Sequence, residues 1–287
     1  MAGFFLSHGR LRRVVSGSRP LAVALALLTL AGCAGADRGP LQSAAFALRI
    51  GDSDPHPGVA AARAMPIQGI DVSRHDGDID WATVKRSGIS FAYLKTTEGG
   101  DYADPKFIEN WKQAAAAGVK RGAYHFMYWC RPADQQALFF MVNVPNDPDA
   151  LPPVLDLEWN DASPTCPGAI PAWRAVPMIR TVLKAMQART GKRPIIYTDV
   201  NFYRDVLASG AFSDYPFWLR STASDPQKLY PGRPFVYWQY TGTGRIPGLD
   251  GDVDRNVFNG SADDWSRWLL QVGAASAATA SVPAARG

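Results

Sequence analysis

Two carboxylates stand one residue apart at the end of an apolar run: Asp156-Leu157-Glu158 closes the segment PPVLDLEW, residues 152–159. On a β-strand, side chains at i and i+2 leave the same face, so both acids enter one space while Leu155 and Leu157 face the other way. Such a pair suits the cleavage of an acetal. One acid protonates a poor leaving oxygen, negative charge steadies an oxocarbenium-like centre, and mutual repulsion raises the pKa of one partner. An isolated Asp-x-Glu more often caps a helix or pairs with arginine, so its meaning depends on what the fold brings to it.

Other chemistries find less support. His75 and His125 have no HxH, HExxH or Cys/His spacing around them, so no metal site is expected, and His125 reads as a strand histidine hydrogen-bonded near the site. Ser73 and Ser221 lack the GxSxG elbow of serine hydrolases. Tyr124, Trp159, Tyr197, Trp218 and Trp238 lie on or beside predicted strand ends, where flat rings stack on sugar faces; core packing is the competing role for each.

The elements that position these residues alternate. Strands are predicted at 69–73, 89–97, 120–129, 152–159, 193–199, 216–222 and 233–241. Helices are predicted near 80–87, 105–117, 134–143, 171–190 and 199–209, with Asp104-Pro105 starting one and Gly118 and Gly191 ending two. This order implies an α/β fold with a mainly parallel sheet, in which chemistry collects at the C-terminal strand ends if the sheet closes into a barrel.

The N-terminus reads as an export signal: Arg10, Arg12, Arg13 and Arg19 precede the apolar run LAVALALLTL, residues 21–30. The run is too short for a membrane-spanning helix of roughly 20 residues. It ends in Leu30-Ala31-Gly32-Cys33, which resembles a bacterial lipobox and implies lipidation of Cys33. Ala34 after that cysteine, instead of Asp, tilts the expectation toward the outer membrane in a host that has one. The protein is therefore expected as an exported, membrane-anchored lipoprotein at the periplasmic face or cell surface. Removing residues 1–32 takes away four arginines and no acid, which turns 30 basic and 26 acidic residues into 26 of each. The apparent basicity belongs to the signal and gives no reason to expect a nucleic-acid partner. Residues 33–64 read as a lipidated tether, 65–272 as one catalytic domain and 273–287 as a disordered tail. Cys130 and Cys166 remain as an even pair, either bridged or as two free thiols.

Motifs in order along residues 67–260 resemble glycoside hydrolase family 25, the Chalaropsis-type lysozymes: GIDVSRHDGDIDW (69–81), FAYLKTTEGGDYADPKF (91–107), RGAYHF (121–126), PPVLDLEW (152–159), IIYTD (195–199) and WQYTGTGRIPGLDGDVDRNVF (238–258). The resemblance implies an irregular (β/α) barrel of eight strands, TIM-barrel-like, with five strands in (β/α) units and the rest partly antiparallel. It implies hydrolysis of the bond between N-acetylmuramic acid and N-acetylglucosamine in peptidoglycan, by a monomer without a cofactor. By the same resemblance Glu158 is the general acid/base, Asp156 its companion, and Asp71 and Asp254 further cleft carboxylates. Asp252 competes with Asp254 for the last place; Val253 and Asn256 favour Asp254. Tyr124 and Tyr197 fall in family motifs near the mouth and are the stronger sugar-stacking candidates.

Two departures from the family pattern fall near the expected cleft: His75-Asp76-Gly77 where many members have an aromatic-Gln-Gly turn, and Arg220 where a small residue is common. They bear on which wall is accepted. The alternatives are a catalytically silent peptidoglycan-binding module and a hydrolase of another amino-sugar polymer such as chitin.

Overall fold

The computed structural model describes residues 51–161 and 163–280. Among these, ten strands form one sheet: β1 Gly51–Asp52, β2 Gln68–Val72, β3 Ile89–Glu98, β4 Tyr102–Ala103, β5 Lys120–Phe126, β6 Val154–Leu157, β7 Ile195–Thr198, β8 Phe217–Arg220, β9 Tyr237–Arg245 and β10 Val253–Phe258. Eight of them close into a barrel in the order β2-β3-β5-β6-β7-β8-β9-β10, with β10 returning to β2. Every neighbouring pair from β2 round to β9 is parallel, while β10 runs antiparallel to both β9 and β2. The expected irregular barrel is thus present, its antiparallel character confined in the ring to one strand.

Helices Trp81–Arg86, Phe107–Ala116, Ala133–Asn143 and Ala172–Thr190 lie within about two residues of expectation, and a short helix at Val200–Phe202 continues as a π turn to Leu207. Local chemistry starts two of them. The Asp80 carboxylate accepts from Thr83 N at 3.0 Å and the Asp199 carboxylate from Phe202 N at 2.8 Å, each satisfying a first-turn N–H that has no intrahelical partner.

Strand alternation divides the core. Outward residues such as Leu155, Leu157, Ile196 and Leu219 meet the helices. Inward residues plug the barrel floor with rings: Phe91 lies 4.7 Å from Tyr237 and Tyr93 5.0 Å from Trp218, with Trp265 of the C-terminal helix beneath Phe91 at 5.5 Å. The plug requires glycine opposite its largest rings. A Cβ on Gly69 would lie 2.3 Å from the Phe91 ring and one on Gly122 2.2 Å from the Tyr93 ring, closer than packed atoms approach. With its floor filled, the barrel is open at the C-terminal strand ends.

Two expected boundaries move. Residues 51–64 belong to the domain: β1 pairs with Arg245 and Gly244 of β9, and helix Val59–Ala64 buries Val59 and Ala62 against Trp238, Tyr240 and Val257. This Ala-rich stretch thus covers the outward apolar face of β9 and β10, together with Met65 and Phe235. At the other end helix Ala262–Ala280 continues through the Ala/Ser-rich residues that were expected to be disordered from 273, as their high helix propensity permits. The signal segment, Cys33 and the rest of the expected tether lie outside the described residues. Among the described residues no helix is long and apolar enough to cross a membrane.

Candidate active site

Inward-facing residues toward the C-terminal ends of the parallel strands, joined by one from the start of antiparallel β10, enclose a cavity of about 290 Å³. Each strand contributes by its alternation: Asp71 from β2, Lys95 from β3, Tyr124 and Phe126 from β5, Asp156 and then Glu158 from β6 and its exit, Tyr197 from β7, Trp218 and Arg220 from β8, Gln239 from β9 and Asp254 from β10. All four expected carboxylates therefore meet in one place, together with Tyr124, Tyr197 and Trp218.

Glu158 lies one residue beyond the end of β6, and contacts from the β5 exit hold it there. Met127 N donates to Asp156 O at 3.1 Å, the Trp129 indole to Glu158 O at 2.7 Å, and Asn160 Nδ2 to Met127 O at 3.1 Å. The Cys130–Cys166 disulfide, Cα–Cα 5.6 Å, joins the same two loops, which settles the pairing left open by sequence. Trp129 stacks on Phe202 at 4.9 Å, so the brace is anchored in the helical layer.

Asp71 sits at the centre of a polar network. Asn256 Nδ2 and Gln239 Nε2 both donate to Asp71 Oδ1, at 2.7 and 3.0 Å. Trp218 Nε1 donates to Asn256 Oδ1 at 2.9 Å, and Tyr197 OH to Gln239 Oε1 at 2.8 Å. Asp254 pairs directly with Asp71 across the antiparallel ladder. Like charges facing one another across strands destabilise a sheet, so this pairing is one that a purely structural site would avoid.

Burial and mutual repulsion push the acids up together. Asp71 is raised to about 6 by burial, with the Asp76 and Glu158 charges adding to it and the two amide donors opposing. Asp156 is held well above the usual carboxylate range by burial and then by Glu158, against the pull of Lys95. Asp254 is likewise held well up by burial and by Asp71. Burial and the Asp199 charge raise Glu158, while Arg220, the neighbouring Tyr197 hydroxyl and Lys95 draw it down. Acids that raise one another in this way titrate as a group and share protons, so the last of them to ionise does so above the usual carboxylate range. Asp156 Oδ1 is buried and has no hydrogen-bond partner among the described residues, a cost a fold tolerates where a ligand supplies the partner.

Three expected contacts fall elsewhere. Trp159 faces outward, as alternation from Glu158 requires, packing on Phe202 at 4.6 Å and donating to Asp205 at 2.9 Å. Trp238 is also outward, between inward Tyr237 and Gln239; it packs under helix Val59–Ala64 and donates to Ser221 O at 2.9 Å. Asp252 lies outside the cavity, ion-paired with Arg245 at 2.8 Å and accepting from Ser53 Oγ at 2.8 Å, which leaves Asp254 in the cleft. His125 is hydrogen-bonded as expected but points away from the cavity, between Thr97 Oγ1 at 2.8 Å and Gln136 Oε1 at 3.3 Å; burial lowers its pKa to about 4. Ser73 caps the turn at Arg74–Asp76, accepting from His75 N at 3.2 Å, while the Asp76 carboxylate accepts from Ser73 N at 2.8 Å.

Sequence reasoning did not single out Lys95, Phe126 or Gln239 as cavity residues, or Trp129 as the support of Glu158. Alternation carried the first three: Gln239 is two residues from inward Tyr237, and Phe126 two from inward Tyr124. No pattern local to Trp129 announces its contact with Glu158 O across 29 residues.

The sequence model of glycosyl hydrolases family 25 matches residues 70–249. The chain is 38% identical over 214 residues to lysozyme M1 of Streptomyces globisporus, covering 71% of each chain. It is 29% identical to the N,O-diacetylmuramidase of Chalaropsis sp., covering 69% of this chain and 96% of that one. Its fold superposes on the crystal structure of a bacterial lysozyme from Streptomyces coelicolor with a TM-score of 0.64 at 36% identity, covering 74% of this chain and 99% of the other.

Proposed function

The chain belongs to glycosyl hydrolase family 25 and is a lysozyme-type muramidase of bacterial peptidoglycan; from that premise we propose that Glu158 is its general acid/base and Asp156 the group that assists it. The observation that carries the assignment is the pair itself: two inward carboxyls from one strand, both raised, one with an unpartnered buried oxygen.

The mechanism requires the proton on Glu158 and the charge on Asp156, and Lys95 steadies the ionised form of either carboxyl. Glu158 gives that proton to the glycosidic oxygen as the C1–O bond breaks. Substrate assistance is a recognised exception to the scheme of two independent carboxylates, and the acids of one strand, fixed side by side, suit it. The carbonyl oxygen of the sugar's 2-acetamido group forms the new bond to C1, while Asp156 accepts the acetamido N–H and steadies the positive charge that develops there. Water then attacks C1 and gives its proton to Glu158, the acetamido group is released, and Glu158 is protonated again. Asp71 and Asp254 line the same cavity and accept hydrogen bonds or, when ionised, add negative charge beside the reacting sugar, and Tyr124, Tyr197 and Trp218 offer faces and edges to the sugars.

Two displacements at one carbon predict net retention. Proton NMR of freshly cleaved glycan is expected to show the β-anomer at the new reducing end before mutarotation; the α-anomer first would overturn the mechanism.

The protein is further proposed to be exported and held at a membrane by lipid on Cys33, which would concentrate its action on the adjacent wall. Metabolic labelling with a fatty-acid analogue is expected to mark the full chain and not Cys33→Ala; equal labelling of both would refute the anchor.

A further inference from the structure

The cavity holds two cations, and they are differently placed. Lys95 is already engaged: its ammonium pairs with Glu98 and lies 4.8 Å from the centre of the Phe126 ring. Arg220 ends β8 with its side chain exposed at the cavity mouth. Among the described residues its guanidinium makes no hydrogen bond or ion pair; Glu158, Asp254 and Asp199 act on it only through their charges at a distance. Its backbone is fixed all the same. The Arg220 carbonyl accepts from Tyr230 OH at 2.6 Å, and the residue pairs with Gln239 in the β8–β9 ladder. A guanidinium has five N–H donors in a rigid fork that matches a carboxyl group, and here the residue lines a sugar-sized cavity with its donors uncommitted.

A muramoyl unit differs from a glucosaminyl unit by a lactyl ether on O3 that ends in a carboxyl group, either free as a carboxylate or joined by an amide to a stem peptide. Asp71, Asp156, Glu158 and Asp254 make most of the cavity wall hostile to such a group. Resting on the muramidase reading, we propose that Arg220 receives the lactyl carboxyl group and thereby selects muramoyl over plain N-acetylglucosaminyl units. A free carboxylate takes both arms of the fork, and the amide form keeps one carbonyl oxygen to accept a single N–H.

Arg220 also draws down the pKa of Glu158, and a residue with that role alone would move the pH profile equally for every substrate. The test separates the two roles by using one glycan in two forms: strands freed of stem peptides that carry the lactyl carboxylate, and the same strands with that carboxyl reduced to an alcohol. The full-length wild type is expected to prefer the carboxylate form by about tenfold in kcat/KM, the scale of a hydrogen bond to a charged group. In Arg220→Gln, at an unchanged thermal midpoint, the ratio is expected to fall toward one, mainly through KM, with Arg220→Lys intermediate. A pH-profile shift shared by both forms leaves the ratio untouched. A wild-type ratio near one, or an unchanged ratio in Arg220→Gln, overturns the proposal. Failure of the wild type to release reducing muramic acid from either form would remove the muramidase reading, and this proposal with it.

Discussion

Trp218 and Asn256 are joined by a hydrogen bond that fixes the orientation of a third residue's partner: the indole Nε1 donates to Asn256 Oδ1 at 2.9 Å. An indole N–H can only donate, so the amide oxygen of Asn256 must face Trp218 and its Nδ2 must face Asp71. Two oriented amides therefore present N–H groups to Asp71 Oδ1, and that oxygen acts as an acceptor throughout.

Trp218→Phe removes the donor that sets this orientation and leaves Asn256 Oδ1 buried without a partner. A loss of about 1–3 kcal/mol in stability is expected, together with a fall in activity of about tenfold or more as Asp71 loses its fixed donor. Denaturant unfolding and turnover measured on the same preparation check both; wild-type values for each would show that the indole only fills space.

Asp71 is raised to about 6 in the folded protein from 3.8 in its absence. The folded state then binds the proton more tightly than the unfolded one. The resulting stabilisation is fully present below the unfolded pKa and is lost as pH rises through about 6. Asp71→Asn is accordingly expected to unfold at a higher temperature than wild type at pH 7.5, with the advantage shrinking toward pH 4.5, while activity falls. A pH-independent difference in midpoint would contradict the assigned shift.

Activity needs Glu158 protonated before cleavage, so it is expected to fall as pH rises through the elevated pKa of that group. The Asp199 charge raises that pKa and Arg220 lowers it. The alkaline limb of kcat is therefore expected to move to lower pH in Asp199→Asn and to higher pH in Arg220→Gln. Shifts in the same direction would place the limb on another acid.

The Cys130–Cys166 bridge closes a loop with a sequence separation of 36 residues. In the chain-entropy model such a loop contributes about 3–4 kcal/mol. Reduction, or Cys130→Ser with Cys166→Ser, is expected to lower the thermal midpoint and also to reduce kcat, because the bridge braces the loop that carries Glu158. Equal midpoints with and without reductant would deny it a structural role.

The barrel was legible because its signals are periodic and local: strand runs with inward acids, helices begun by Asp80 and Asp199, and an ordered set of motifs. The same alternation that paired Asp156 with Glu158 also excludes Trp159 and Trp238 from the cavity, and it carried Gln239 and Phe126 into it. What sequence could not supply was contact over distance. Trp129 supporting Glu158 O and Val59 covering Trp238 depend on which surfaces the fold leaves bare. Asp252 and Asp254 are two residues apart, yet the Arg245 ion pair holds one outside while the ladder to Asp71 carries the other into the cleft.

The most direct measurement is mass spectrometry of the reducing ends released from peptidoglycan by full-length wild type and by Glu158→Gln. The account predicts new reducing N-acetylmuramic acid from the wild type, and a loss of at least about 100-fold in Glu158→Gln, the scale of a missing general acid, with the fold intact by circular dichroism. Release at the wild-type rate by Glu158→Gln, or reducing N-acetylglucosamine ends in place of muramic acid, would contradict it.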